Sequence, residues 1–239
     1  MNIIRRNFPN LLTCLNILAG TVAIVLAFQS DAVFHGLAGW KWSILAIGVA
    51  TVADFLDGFM ARLLNAGSEM GKELDSLSDL VSFGVAPAML LFNLLDHAPQ
   101  APHWLPWIAL IIPVAGAVRL ARFNVDPRQT SSFIGLPIPA NAIFWLGFIA
   151  LAYDMPTATW LCAPALIIPL TIIEAWLMLA PLPLFSLKFH DYKWRGNEVR
   201  WILIFASFGL ICWLGLPALA LIIILYLLPL VSTKNFGGH

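Results

Sequence analysis

The sequence predicts an all-α protein, a bundle of helices that crosses a membrane several times. Hydrophobic residues make up 60% of the 239-residue chain and charged residues only 11%, whereas a soluble domain typically carries about 25% charged residues. The mean hydropathy is +0.86. The apolar residues are also gathered into runs long enough to cross a bilayer. A chain with so few charged residues cannot form a well-hydrated surface, so we expect its outer surface to face lipid.

The apolar runs give the order of the helices. Crossing the hydrocarbon core takes roughly 20 residues of helix, and runs of about that length lie at 11–28, 40–62, 73–95, 104–123, 138–154 and 158–180. The last run, 201–231, is too long for one ordinary span. Because Gly215-Leu216-Pro217 is typical of a turn, we predict two short helices joined there. The result is eight spans in one integral membrane domain; seven, with a single tilted last helix, is the alternative.

The basic residues predict how the chain lies in the membrane. Cytoplasmic loops are enriched in lysine and arginine. With the amino terminus inside, only Lys41 falls on the outer side, and the following twelve fall on the cytoplasmic side: Arg5, Arg6, Arg62, Lys72, Arg119, Arg122, Arg128, Lys188, Lys193, Arg195, Arg200 and Lys234. The first run has no clear cleavage site after it, so we expect a retained first span. The formal net charge of zero argues against a nucleic-acid partner.

Four aspartates stand out in this apolar chain: Asp54, Asp57, Asp75 and Asp79. A carboxylate at mid-span costs about 2.5–3.5 kcal/mol on insertion scales and usually serves a function. On a helix with about 100° per residue, Asp54 and Asp57 are about 60° apart, and Asp75 and Asp79 are one turn apart. A short connection should make the two helices antiparallel neighbours whose acidic faces meet. Carboxylates that close repel one another unless cations neutralise them, and oxygen ligands favour Mg²⁺ or Mn²⁺ over Zn²⁺.

Small residues accompany the aspartates. Gly58 and Ala61 share a helix face with Asp54 and Asp57, and Gly71 lies one turn before Asp75. They leave room for a bulky anionic ligand near the backbone, and a guanidinium such as that of Arg62 can bind its phosphate. The alternative is that the small residues let two helices pack closely, while Arg62 only extends to the membrane surface.

The complete spacing, D-x2-D-G-x2-A-R-x8-G-x3-D-x3-D, resembles the signature of the CDP-alcohol phosphotransferases, with no departure at its eight fixed positions. The stretches 67–87, 119–125 and 133–140 resemble the phosphatidylserine synthase branch of that family. The resemblance covers about residues 8–190, the family core. It leaves about residues 200–232 as an additional transmembrane hairpin.

This resemblance implies a six-helix core with a polar cavity that faces the cytoplasm. It also implies that the protein forms a homodimer and lies in the cytoplasmic membrane of a prokaryote. It implies two bound divalent ions, Mg²⁺ or Mn²⁺. Asp79 would act as the general base and would also contact the second ion. The ligands of the ions would be Asp54, Asp57, Asp75 and Asp79. The contacts of the CDP group would be Asp54, Gly58, Ala61, Arg62, Gly71 and Asp75. The implied reaction transfers the phosphatidyl group of CDP-diacylglycerol to the hydroxyl of L-serine and releases CMP.

The prediction of the acceptor substrate depends on a second group of residues. Arg119 and Arg122 are about 60° apart on a helix, and two guanidinium groups suit the carboxylate of an anionic acceptor. Asn124 would add a hydrogen bond. The alternative reading of the pair is two membrane-surface anchors. Other acceptors remain open within the family, namely glycerol 3-phosphate, inositol phosphate or choline. A cation transporter is the rival from another class, although its polar residues would usually follow the whole transmembrane route.

Overall fold

The computed structural model describes residues 3–125, 135–182 and 197–232, and it confirms the all-α prediction. Within these ranges the α-helices, in chain order, are α1 Ile3–Ala27, α2 Gly39–Leu63, α3 Glu69–Asp79, α4 Ala86–Asp96, α5 Ile111–Val125, α6 Ile138–Asp154, α7 Pro164–Leu179, α8 Glu198–Leu214 and α9 Ala218–Ser232. Two short strands, β1 Val33–Phe34 and β2 Leu37–Ala38, pair as an antiparallel hairpin between α1 and α2. Of the basic residues predicted to be cytoplasmic, Arg128, Lys188, Lys193, Arg195 and Lys234 lie outside the described ranges.

Among the described residues, four helical segments are long and apolar enough to cross a membrane: Asn7–Ala27, Gly39–Leu63, Glu69–Asp96 and Leu105–Val125. Four shorter apolar helices follow: Ile138–Asp154, Pro164–Leu179, Arg200–Leu214 and Ala218–Leu228. Large apolar side chains such as Phe55 and Trp213 point outward and are 68% and 80% exposed. Many such exposed apolar side chains on the described helices suit lipid rather than water. The chain is therefore an integral membrane protein.

The last apolar stretch divides where its sequence predicted. Helix α8 ends at Leu214, and Gly215 follows with a positive φ of 65°. That backbone conformation is one that glycine adopts readily, and α9 begins at Ala218. The stretch therefore forms two helices, as predicted, and not the single tilted helix that was the alternative. The total of eight membrane crossings stays a prediction, since the later helices are short.

The third membrane segment has a change of helix type in its middle. Helix α3 begins at an N-cap, because Oγ of Ser68 accepts a hydrogen bond from the backbone N–H of Gly71 at 3.0 Å. It ends at Asp79, and a π-helical turn, Leu80–Val85, leads without a break into α4. Such widened turns are rare and are often found at functional sites. Here the turn follows the last of the four aspartates directly.

Helix α1 organises the site end of the bundle. It lies along α2 and also packs against α3 and the π-helical turn, whereas α2 and α3 make little direct contact with each other. A side chain at Gly20 would overlap Ser82, so this glycine lets α1 approach the turn closely. The predicted meeting of the acidic faces of α2 and α3 is confirmed, since carboxylates of the two helices come together, although their backbones make little contact. Helix α1 packs against both helices and forms part of the wall of the cavity beside the aspartates.

The carboxyl-terminal helices are part of the same bundle. Helix α9 packs on α6, where a side chain at Gly147 would overlap the backbone of α9 near Leu219 and Ala220. Helix α8 contacts α9. The buried core that α6 helps to form includes Trp145, which is fully enclosed. The helix pair after the predicted family core thus adds packing area to that core.

Candidate active site

Three of the four aspartates converge at one point. Asp54 and Asp57 lie in the last turns of α2 and Asp75 lies in α3, and one carboxylate oxygen from each comes within 4.8 Å of the other two. Asp57 is only 5% exposed, and the other two are partly buried. Like charges this close in a poorly hydrated place are unfavourable unless a cation lies among them. Their oxygen-only donors fit a hard divalent ion such as Mg²⁺ or Mn²⁺.

Asp79 lies next to this group and differs from it. Its carboxyl group is beside that of Asp54, but it is not part of the three-residue cluster. The Oδ1 atom of Asp79 is buried and has no hydrogen-bond partner among the described residues. A buried acceptor without a partner is costly, and its position beside the cluster indicates that a bound ligand or reacting group would complete its contacts.

Two residues of α1 that the sequence analysis did not select support the aspartates. The hydroxyl of Thr13 lies 2.6 Å from Oδ2 of Asp57 and donates a hydrogen bond to it. The amide of Asn16 donates to Oγ of Ser78 at 3.2 Å, and that hydroxyl in turn donates to the backbone carbonyl of Asp75 at 2.9 Å. Thr13 therefore holds one carboxylate directly, while Asn16 holds the helix turn that carries another.

A cavity of about 250 Å³ opens beside the cluster. Helix α1, the end of α2, the following loop and the start of α3 form its wall. Its lining residues are Pro9, Asn10, Thr13, Asp57, Gly58, Ala61, Ala66, Gly67, Ser68, Gly71, Lys72 and Asp75. The cavity thus contacts the predicted metal ligands Asp57 and Asp75 and the predicted small residues. Arg62 is exposed in the last turn of α2 and does not occur among these lining residues.

The two glycines of the motif are used differently. A side-chain carbon added to Gly58 would meet no atom within 4 Å, so this residue keeps open space rather than a helix contact. One added to Gly71 would lie 3.0 Å from Oδ1 of Asn10 and 3.1 Å from Oγ of Ser68. Gly71 therefore lets α1 and its own N-cap approach closely. Of the two interpretations made from sequence, ligand space suits Gly58 and close packing suits Gly71.

The three residues predicted to bind the acceptor have different surroundings in the structure. Arg119 is 7% exposed, its Nε atom has no hydrogen-bond partner within the described part of the chain, and its guanidinium lies close enough to Asp79 to interact with that carboxyl group. Arg122 is exposed and donates to the carbonyl of Leu179 at the end of α7, at 3.2 Å. Asn124 is turned to α3, where its amide donates to Oγ of Ser76 at 3.0 Å. Of these three residues, Arg119 is therefore the one that interacts with an aspartate of the site, Asp79.

The sequence was compared with known protein families and with individual relatives. The sequence model of the CDP-alcohol phosphatidyltransferase family matches residues 6–186. Three relatives carry the name CDP-diacylglycerol–serine O-phosphatidyltransferase. The chain is 37% identical to the one from Mycobacterium leprae over 161 residues, 38% identical to the one from Bacillus subtilis over 135, and 40% identical to the one from Methanocaldococcus jannaschii over 139.

These alignments cover 64%, 55% and 58% of the present chain, respectively. They cover 49%, 68% and 58% of the three relatives, so the chain spans about half the length of the first relative and about two thirds of the second. The family match contains all four aspartates and the three small residues of the motif. Because that match extends over most of the chain, this protein belongs to the CDP-alcohol phosphatidyltransferase family.

Proposed function

We propose that this protein transfers the phosphatidyl group of CDP-diacylglycerol to the hydroxyl of L-serine and releases CMP. The observation that carries the proposal is the convergence of Asp54, Asp57 and Asp75 beside an open cavity. The names of the relatives, which specify serine as the acceptor, support the choice of substrates.

The cluster would bind two divalent ions, Mg²⁺ or Mn²⁺. Bound ions would polarise the pyrophosphate of the donor lipid and stabilise the leaving CMP. The protein's own part is to fix the three carboxylates in place, which Thr13 does for Asp57 through its hydrogen bond. Gly58 and Ala61 leave the adjacent cavity open for the cytidine diphosphate group. Arg62 is exposed at the end of α2 and does not line the cavity, so it would reach a phosphate only from outside the cavity wall.

Asp79 would act as the general base. The serine oxygen forms a bond to the phosphorus of the phosphatidyl group, the bond from that phosphorus to the CMP oxygen breaks, and the hydroxyl proton passes to the Asp79 carboxylate. The buried Oδ1 of Asp79 lies next to the cluster and accepts no hydrogen bond from the residues that the structure describes, which suits this role. Its nearness to Asp54 also suits a contact with the second ion.

Arg119 would bind the carboxylate of serine. It is buried, its Nε atom lacks a partner in the described ranges, and it is close enough to Asp79 to interact with its carboxyl group. A serine held there by its carboxylate would present its hydroxyl toward the base. Arg122 and Asn124 instead fasten the end of α5 to α7 and α3, and so they would position Arg119 without touching the acceptor.

We further propose that the site faces the cytoplasm of a prokaryotic cell and that the protein works as a homodimer. Arg62, Lys72 and Arg122 lie at the same end of the bundle as the aspartates. Lysine and arginine are enriched on the cytoplasmic side of membrane proteins. The dimer rests on the family resemblance alone.

The test is a panel of acceptors. Purified protein, CDP-diacylglycerol and Mg²⁺ or Mn²⁺ are incubated with L-serine, glycerol 3-phosphate, inositol phosphate or choline in separate reactions, and CMP release is measured. We expect release with serine and its loss when a chelator removes the ions. The variant Asp79→Asn serves as the control: its turnover should fall by about 10²–10⁴-fold, while its binding of the donor lipid stays measurable.

Release of CMP with another alcohol alone would show that the protein belongs to a different branch of the family. An active Asp79→Asn variant would refute the role of that residue as the base. A cation transporter is the second candidate and would release no CMP. The clustering of the aspartates at one end of the bundle speaks against it, because a transport route usually places polar residues along its whole length.

A further inference from the structure

The wall of the cavity beside the aspartates carries charges of both signs. Asp57 and Asp75 are its two carboxylates, and Lys72 is the one cationic side chain among the described residues that line it. The proposed donor brings a pyrophosphate, whose oxygens form strong hydrogen bonds with cationic donors. The sequence analysis assigned that contact to Arg62, which does not line the cavity. Lys72 is therefore the cation that a phosphate in this cavity would meet.

Lys72 lies on the cavity side of α3. It is near the start of that helix, directly after Gly71, and Asp75 follows three residues later. Residues three apart are neighbours on a helix surface, and both Lys72 and Asp75 line the cavity. The amino-terminal end of a helix also carries a partial positive charge. The backbone and the lysine therefore both favour an anion at this end of α3.

Three hydrogen bonds join Lys72, Ser76 and Asn124 in a closed ring. Nζ of Lys72 donates to the backbone carbonyl of Asn124 at 3.2 Å. The side-chain amide of Asn124 donates to Oγ of Ser76 at 3.0 Å. The hydroxyl of Ser76 in turn donates to the backbone carbonyl of Lys72 at 3.2 Å. The ring connects α3 to the last turn of α5, and it fixes where the end of the lysine side chain lies.

This ring prepares the lysine for a ligand. Lys72 is exposed, and a long side chain loses much rotamer freedom when it is held in one place. Because the ring already holds the ammonium group, a ligand would not have to order it. An ammonium group has three N–H donors, and Asn124 takes one of them. A phosphate can therefore be bound without breaking the ring.

We propose that Lys72 binds a phosphate of the donor lipid in this cavity, and that its ring with Ser76 and Asn124 holds the ammonium group ready for the contact. The inference rests on the proposed function and adds a binding residue to it. A hydrogen bond between charged groups is stronger than one between neutral groups. The contact would therefore offset part of the repulsion between the phosphate and the carboxylates of Asp57 and Asp75.

The first measurement is the affinity of the purified full chain for CDP in the presence of Mg²⁺, by equilibrium dialysis. Lys72→Met keeps the length of the side chain but removes its charge, and we expect it to weaken CDP binding about tenfold. Lys72→Arg should restore most of the affinity, because a guanidinium also binds phosphate. Lys41→Met is the matched control. It removes one positive charge near the start of α2, far from the aspartates in the last turns of that helix, and it should bind CDP as the wild type does.

Two further measurements separate a lost phosphate contact from a damaged fold. A rising salt concentration should weaken CDP binding to the wild type more than to Lys72→Met, because salt screens the contact between charges. The affinity of Lys72→Met for Mn²⁺ without nucleotide should equal or exceed that of the wild type, since a positive charge near the aspartates is gone. Equal salt dependence of the two proteins, or weaker Mn²⁺ binding by the variant, would overturn the proposal.

Ser76→Ala tests the ring. We expect it to weaken CDP binding about threefold, the size of effect that one neutral hydrogen bond has. In the Lys72→Met background the same exchange should change nothing, because no ammonium group is left to position. An equal loss in both backgrounds would show that the ring does not act through Lys72.

Arg62→Met tests the rival phosphate contact. A larger loss of CDP affinity in Arg62→Met than in Lys72→Met would refute the assignment, and so would binding of CDP by Lys72→Met at the affinity of the wild type. CDP binding requires neither an acceptor nor turnover. If the wild-type protein binds CDP but releases no CMP, the proposed function fails, while the comparison of the Lys72 variants still decides the role of that residue.

Discussion

At the residue scale, the contact between Thr13 and Asp57 links a helix without any motif residue to the acidic cluster. Asp57 is nearly enclosed and is one of three carboxylates that meet. A hydrogen bond of 2.6 Å to the Thr13 hydroxyl fixes the direction of its Oδ2 atom. Groups that orient metal ligands typically affect metal affinity or activity strongly. Thr13 is therefore a positioning residue of this site.

We expect Thr13→Val, which keeps the shape but removes the hydroxyl, to weaken Mn²⁺ affinity and kcat/KM by about 10–100-fold. Thr13→Ser should restore most of both, because it returns the donor of the hydrogen bond. Metal titration and CMP release measured on the same preparations check this. A valine variant with the metal affinity of the wild type would mean that the contact has no part in holding the ligand.

The sequence identified the aspartates but not Thr13, for a physical reason. A carboxylate in a membrane segment is costly and therefore conspicuous, and the glycine and arginine positions around it completed a specific motif. A threonine in an apolar helix is ordinary, since its hydroxyl can bond the carbonyl four residues earlier. Thr13 also lies 3.1 Å from the carbonyl of Pro9. Only the tertiary contact of α1 with α2 reveals its second partner.

At the scale of elements, apolar run length predicted the helices well and their packing poorly. The run boundaries matched the helices within a few residues for most spans, and the turn at Gly215 was readable from Gly-Leu-Pro. The π-helical turn after Asp79 and the packing of α1 on both α2 and α3 depend on contacts between distant segments. Hydropathy carries no information about such contacts, because each lipid-facing helix is apolar on nearly every side.

The contact of α6 with α9 yields a prediction at this scale. Gly147→Leu would force its side chain into the backbone of α9 near Leu219 and Ala220. Overpacking of this kind costs about 1–3 kcal/mol, so we expect a lower Tm in detergent. Gly209→Leu makes the same exchange at an open position of α8 and should leave the Tm unchanged. Equal Tm values for the two variants would show that α9 does not depend on this contact.

At the scale of the whole molecule, the protein combines an apolar exterior with one acidic centre. The described helices present large aliphatic and aromatic side chains to the outside, while three carboxylates approach one another within the bundle. Mutual repulsion opposes that arrangement, and packing of α1 on both neighbours holds it together. Cation binding would relieve the repulsion and stabilise the folded chain by mass action. Site and fold are coupled in this way.

The most direct test of this coupling is a titration of the purified protein with Mn²⁺, followed by electron paramagnetic resonance of the free ion. We expect the wild type to bind Mn²⁺ and Asp75→Asn to bind it at least about tenfold more weakly, because a charged ligand is lost from the cluster. Asp96→Asn is the matched control, since Asp96 is exposed at the end of α4 and outside the cluster, and it should bind as the wild type does. Undiminished binding by Asp75→Asn would contradict the assignment of the three aspartates as a metal site.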